Sequence, residues 1–241
     1  MRLAISTLCL FAVVLFAGST DAGIVPGQSI GIDLASHGGT PGAGSEVNFN
    51  VFNWDTTDAA TIDTTGAAVT GVTIDITGIA PQGGVQGEPN LGFGAAGVGD
   101  YTGTPFSDLS CNDGVWTYSP SMVITFSGLD DALTYDVLTV ATARTNTGGA
   151  GPSTTVDGTI LHRNYLDYYA GGTLNSLAFY GVSTDGSGNL PITFNRPWPT
   201  ALNLGAVHLT AVVPEPSSLV LLALGLTSLC FVPRRRKKRA S

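Results

Sequence analysis

Lysine and arginine are almost missing from the body of this sequence. Of ten basic residues in 241, Arg2 stands near the start, and Arg234, Arg235, Arg236, Lys237, Lys238 and Arg239 stand together at the end. Between Gly23 and Val213 only Arg144, Arg163 and Arg196 remain, with no lysine, against 16 acidic residues, a formal charge of −13. Such a surface repels phosphate backbones, so nucleic acid is excluded as a partner. Cysteine is scarce too. Cys9 and Cys230 lie in apolar runs near the two ends, which leaves Cys111 alone in the body and rules out an internal disulfide there. Nothing local sets a base beside Cys111, and His37, His162 and His208 are scattered, which argues against a cysteine nucleophile. Glu and Lys, both good helix formers, are also rare. Gly, Thr, Ala, Val and Asp take their place, and that mixture favours strands and turns.

The most apolar runs lie at the two ends. The start has one basic residue, an apolar run from Leu8 to Ala17 and then small residues, the pattern of a signal peptide with cleavage after Ala22. The run is about half the roughly 20 residues of a membrane span. At the other end, Ser217 to Val232 is uncharged and bounded by Pro216 and Pro233. As a helix it would reach about 24 Å, short of a hydrocarbon core of about 30 Å by an amount that local thinning can absorb. The six basic residues then hold the C-terminus in the cytoplasm. The body is thereby expected outside the inner membrane, tethered by its tail.

Val213-Pro214-Glu215-Pro216, a short apolar segment and a terminal basic cluster, in that order, resemble the PEP-CTERM sorting signal of exopolysaccharide-producing bacteria. The resemblance implies recognition by an exosortase, a membrane-embedded transpeptidase-like enzyme, with cleavage near Pro214, Glu215 and Pro216. It also implies passage to the cell surface or extracellular matrix. Proline fixes φ and blocks upstream continuation of a helix, so the triplet is expected to stay extended at the membrane surface. The plainer alternative is a permanent single-pass anchor.

Between the ends, period-two alternation recurs. Val47 to Phe52, Val72 to Thr77, Met122 to Phe126, Leu133 to Ala143, Leu177 to Val182, Leu190 to Phe194 and Ala201 to Val212 read as strands. Asp157-Gly158, between Thr154 and Leu161, reads as a two-residue hairpin turn. Eight to ten strands without a helix predict an all-β fold, an antiparallel β-sandwich. The Gly- and Pro-rich stretch from Gly78 to Phe106 is expected to form surface loops. The organisation expected is signal peptide 1–22, sandwich 23–212 and sorting signal 213–241, the last made of motif 214–216, transmembrane helix 217–232 and basic tail 234–239.

The body also carries a looser resemblance. Gly31-Ile32-Asp33-Leu34, the stretch from Asp63 to Val72, Phe126-Ser127-Gly128-Leu129 with Leu133 to Asp136, Gly181 to Asn189 and Ala201 to Val207 are similar in order to bacterial surface proteins with a jelly-roll, galactose-binding-like domain. The stretch after Gly78 departs from that pattern. This likeness implies a jelly-roll-like sandwich and no particular activity.

Candidate chemistry is sparse. Gly27-Gln28-Ser29-Ile30-Gly31 fits G-x-S-x-G, but that motif needs a strand, a sharp turn and a helix, whereas an Asp-containing strand follows here. Asp185-Gly186-Ser187-Gly188-Asn189 begins like a calcium loop, yet the sixth position is Leu190 and the twelfth Arg196, so an ordinary polar turn is favoured. Asp130-Asp131 is a second ligand pair to consider, with a solvated turn as the plainer reading. Trp54, Trp116 and Trp198 could stack on sugars but more commonly fill a core. Arg144 suits an ion pair with an Asp better than a ligand. No carboxylate pair is singled out for glycoside cleavage. The expectation is therefore an exported surface or matrix protein with a structural or carbohydrate-binding body, without catalysis and without a cofactor. Its partners would be the export machinery, an exosortase-type enzyme and exopolysaccharide. The competing reading is a surface hydrolase or esterase of unknown class, for which Ser29 is the serine to test.

Overall fold

The computed structural model describes residues 23–34, 47–52, 56–79, 83–86, 104–106, 114–143, 151–162, 176–196 and 201–214. Thirteen strands lie among them: β1 (Ser29–Leu34), β2 (Asn50–Phe52), β3 (Thr56–Ala59), β4 (Thr73–Thr77), β5 (Gly83–Gln86), β6 (Gly114–Thr117), β7 (Ser121–Ser127), β8 (Thr134–Ala143), β9 (Ser153–Val156), β10 (Thr159–His162), β11 (Leu177–Val182), β12 (Leu190–Asn195) and β13 (Leu202–Val212). One sheet runs β11-β8-β13-β1-β2, with β6 also paired to β13 and β5 to β6. The other runs β10-β9-β12-β7-β4-β3. From β7 onward the chain changes sheet at every step except the β9–β10 hairpin, the interleaving of a jelly-roll-like sandwich. The all-β sandwich expected from the alternation is what the chain forms.

Three details differ from expectation. The pairings are antiparallel except that β2 runs parallel to β1; the connection through residues 35–49 is long enough for the crossover that a parallel pair needs. The stretch after Gly78 contains a strand, β5, which pairs with β6 through backbone groups that its Gly83-Gly84 side of the sequence does not advertise. The alternating run from Val47 begins as a turn, with Val47 exposed and Asn48 at φ 61°.

The core lies between the sheets. Ile74 and Ile76 of β4, Met122, Ile124 and Phe126 of β7 and Leu190, Ile192 and Phe194 of β12 face Ile30, Ile32 and Leu34 of β1, Tyr135 and Val137 of β8 and Val207 and Leu209 of β13. Burying each such side chain contributes about 1.5–3 kcal/mol, so this interdigitated layer is the main source of stability. The Tyr135 hydroxyl donates to Asp130 O at 3.0 Å, and burial pushes its phenol up to about 12.

Asn50, at the start of β2, ties the first sheet to the chain leading into the second. Its Nδ2 donates to Gly31 O (3.1 Å) and Ile62 O (2.9 Å), and its Oδ1 accepts from Thr61 N (2.9 Å). A smaller apolar layer covers the outer face of β1 and β13. There Phe49, Phe106 and His208 pack ring against ring, with centroids 6.2–6.3 Å apart. Burial holds the His208 imidazole down at about 4.

Candidate functional site

The sorting motif leaves the fold from its most embedded strand. β13 pairs along its whole length with β8, as far as Val212 opposite Thr134. On its other side Ala211 exchanges backbone hydrogen bonds with the segment entering β1, Gly27 N to Ala211 O at 2.8 Å and Ala211 N to Gln28 O at 3.0 Å. Beyond Val212 the ladder stops, and Val213 and Pro214 are exposed. Pro214 is thus the first sorting residue outside the sandwich. Glu215, Pro216, the apolar run 217–232 and the basic cluster Arg234 to Arg239 lie outside the described residues, as do the leader 1–22, Trp54, Trp198, Cys111, His37, Arg144 and Arg163. Among the described residues no helix is long and apolar enough to cross a membrane.

The exit point belongs to an end of the sandwich built from aspartate-capped turns. Asp63 Oδ1 accepts from Thr65 N, Ala67 N and Thr65 Oγ1, while its Oδ2 takes Gln28 Nε2 at 3.0 Å. These bonds hold its carboxyl down at about 2. Asp130 Oδ1 accepts from Ala132 N, and Asp131 Oδ1 from Thr184 Oγ1 and from Gly188 N. Asp157 Oδ2 accepts from Ser183 N at 3.1 Å. Every one of these carboxylates satisfies turn amides that the ladders leave over.

The calcium-like sequence resolves as such a turn. Asp185 accepts from Ser187 N, Asn189 N and Asn189 Nδ2, bonds that lower its carboxyl below the usual carboxylate range. Gly186 and Gly188 carry φ of 81° and 74°. The Asp130-Asp131 pair caps the neighbouring loop in the same way. No group of three or more His, Cys, Asp or Glu among the described residues is arranged to hold a metal.

Beside that end lies a groove of about 200 Å³, lined by Thr155, Asp157, Gly158, Ser183, Thr184, Asp185, Leu190, Pro191 and Thr193. It spans the outer face of β9 and β12, where Thr155 pairs with Thr193, and the two loops above them. No local sequence signal marks it. The outward threonines of β9 and β12 carry the period-two signal of a solvated face, and only the sheet pairing sets them beside Asp157 and Asp185. At about 200 Å³ the groove is below the roughly 300–1,000 Å³ of a site that encloses a small molecule.

Ser29 opens β1, not a strand–turn–helix elbow, and its Oγ lies 2.9 Å from Thr210 Oγ1. Thr210 Oγ1 in turn is 3.4 Å from His208 Nδ1. Serine and histidine therefore meet only through a threonine hydroxyl, without the direct contact that a nucleophile needs from its base. His162 is exposed on β10, at the outer edge of the other sheet. Arg196 stands at the opposite end of the sandwich, its guanidinium carbon 5.9 Å from the Tyr118 ring centroid.

No curated protein matches the chain. Among solved structures, the CBM36-1 domain of a multidomain xylanase from the hindgut metagenome of Trinervitermes trinervoides is similar at 14% identity, over 57% of this chain and 95% of that one, with a TM-score of 0.31. A likeness at that level says nothing about what this chain binds. The remaining comparison falls where β13 ends and the fold lets go of its tail: residues 212–236 match a protein-sorting motif, and the chain carries a PEP-CTERM sorting signal.

Proposed function

We propose that this is an exported surface or matrix protein, sorted at the membrane by an exosortase-type enzyme, whose body is a non-catalytic structural or carbohydrate-binding sandwich. The observation that carries the reading is the sorting-motif match at residues 212–236, which starts on the last residue of β13. A body that ends where its signal begins can be released with no loss of core. The leader 1–22 supplies export, the body is 23–212, and 213–241 is the sorting signal. Within it Pro214, Glu215 and Pro216 are the processing motif, 217–232 the span and Arg234 to Arg239 the stop-transfer cluster. Mass spectrometry of the chain recovered outside the cell tests this. A C-terminal peptide ending near Pro214 to Pro216 is expected. Mature protein that retains Phe231 and Val232 would return the tail to a permanent anchor.

The carbohydrate reading is supported by the groove, whose hydroxyls and carboxylates suit a hydroxylated polymer. A glycan array with the mature protein, alongside ester and glycoside substrates, tests it. Binding without turnover is expected. Turnover lost in Ser29→Ala would overturn the non-catalytic reading.

A further inference from the structure

While the tail is still in the membrane, one particular end of the sandwich has to face the lipid. We infer that this is the end carrying the 129–133 turn, the 157–158 turn and the 183–189 loop, and that it stands within about 10 Å of the headgroups. The inference rests on the proposed membrane-inserted tail, and its geometry comes from the fold. Val212 is fixed in the ladder by β8, and Ala211 by Gln28. Only residues 213–216 separate Val212 from the apolar run that starts at Ser217. Four residues span at most about 14 Å when fully extended. The polar layer of one leaflet takes up roughly 5–8 Å of that reach. The sandwich therefore has no freedom to tumble away from the surface or to present its other end.

Register decides which loops are carried there. β13 runs antiparallel to β8 and β1, so its end lies beside the start of both. Val182 of β11 pairs with Tyr135 near the start of β8, which brings the 183–189 loop to the same end. Leu190 of β12 pairs with Phe126 near the end of β7, and Ile192 with Val156, which adds the remaining two turns. The opposite end, with Pro120 and Arg196, lies a full β13 away, about 33 Å at the rise of an extended strand. The lipid-facing end is also where Asp130, Asp131, Asp157 and Asp185 sit, within about one Debye length of the surface. Attachment comes from the tail alone. The carboxylates oppose collapse of this end onto anionic headgroups.

The test uses the full chain with its cysteines replaced by serine, produced with its own leader in an exporting bacterium lacking the processing enzyme. Single cysteines are placed at Ser187 or Val25 on the lipid-facing end and at Pro120 on the far end, all exposed positions. Each is labelled with a fluorophore, and the chain is returned to phosphatidylcholine–phosphatidylglycerol vesicles with headgroup-attached acceptors. Energy transfer at least about twofold greater from Ser187 and Val25 than from Pro120 is expected, given the ~33 Å between the ends. A long Gly-Ser insertion after Val212 should erase the difference while the protein still floats with the vesicles. Equal transfer from both ends in floating protein overturns the orientation alone. Protein that fails to float overturns the membrane-inserted tail, and the orientation with it.

Discussion

The ring of Phe49 rests against the Cα of Gly31 so closely that a Cβ there would lie 2.4 Å from Phe49 Cδ1. Gly31 is in β1, on the face opposite the main core, and the missing side chain is what lets the 47–49 turn close over His208. Gly31→Ala is expected to displace Phe49 and to destabilise the body by about 1–3 kcal/mol, the usual cost of overpacking. Measured by urea unfolding, the penalty should shrink sharply in a Phe49→Ala background, because the two changes share one contact. Additive costs would show that Phe49 is not what limits the site.

Gly128 and Gly158 have nearly the same backbone, φ 81° and 72°, but opposite surroundings. A Cβ on Gly128 would stand 2.0 Å from Gly71 O, while one on Gly158 meets nothing within 4 Å. Gly158→Ala should cost about 1 kcal/mol, the strain of a left-handed residue in the hairpin turn. Gly128→Ala adds a backbone collision and should cost several times more, seen as a much larger drop in Tm or as failure to fold. Equal effects would mean that conformation alone matters at both.

The pH dependence of stability should carry the mark of His208. Its folded value near 4 lies below the ordinary histidine value of 6.5, because burial disfavours the cation. The unfolded chain therefore takes up a proton that the folded one refuses, and stability falls as pH drops from about 6.5 to 4. The full loss is on the order of 3 kcal/mol. Asp63 acts lower down. Its carboxyl is held at about 2, so its contribution is present above 3.8 and is lost as pH falls toward 2. His208→Leu should flatten urea midpoints across the upper window and leave the lower one, whereas Asp63→Asn should do the reverse.

Thr139 is fully buried on the inner face of β8, and among the described residues its Oγ1 has no hydrogen-bond partner. Thr139→Val keeps the shape and removes an unsatisfied hydroxyl, so a gain of about 1 kcal/mol is expected. Thr139→Ser, which keeps the hydroxyl and loses the methyl, should be less stable than the parent. A destabilised Thr139→Val would mean that the hydroxyl has a partner in solution.

Much of the sandwich was legible because its strands are half-buried. Met122 to Phe126 and Leu190 to Phe194 alternate as the pleat requires, and Asp157-Gly158 forms the turn its residue types demand, at φ 45° and 72°. What was not legible is held by backbone or by distant partners. β5 and β6 pair through main-chain groups, and the parallel placement of β2 depends on Asn50 reaching Gly31 and Ile62, contacts that no local pattern encodes. The sorting segment is readable from residue order alone because its chemistry is local. The groove is not, since Thr155 and Thr193 are brought together only by the pairing of β9 with β12.

β13 sits in the middle of its sheet, between β8 on one side and β1 and β6 on the other, yet among the described strands it comes last in chain order. Until residues 202–212 are in place, the first sheet is split and two long edges stand open, an invitation to mispairing. Closing it joins Ser29 to Thr210 across nearly the entire body, the kind of distant pairing that slows folding. The strand that completes the first sheet and the sorting motif thus meet at Val212. A product truncated before residue 202 cannot complete the first sheet, whereas one ending at Val212 keeps every strand of it and lacks the sorting segment.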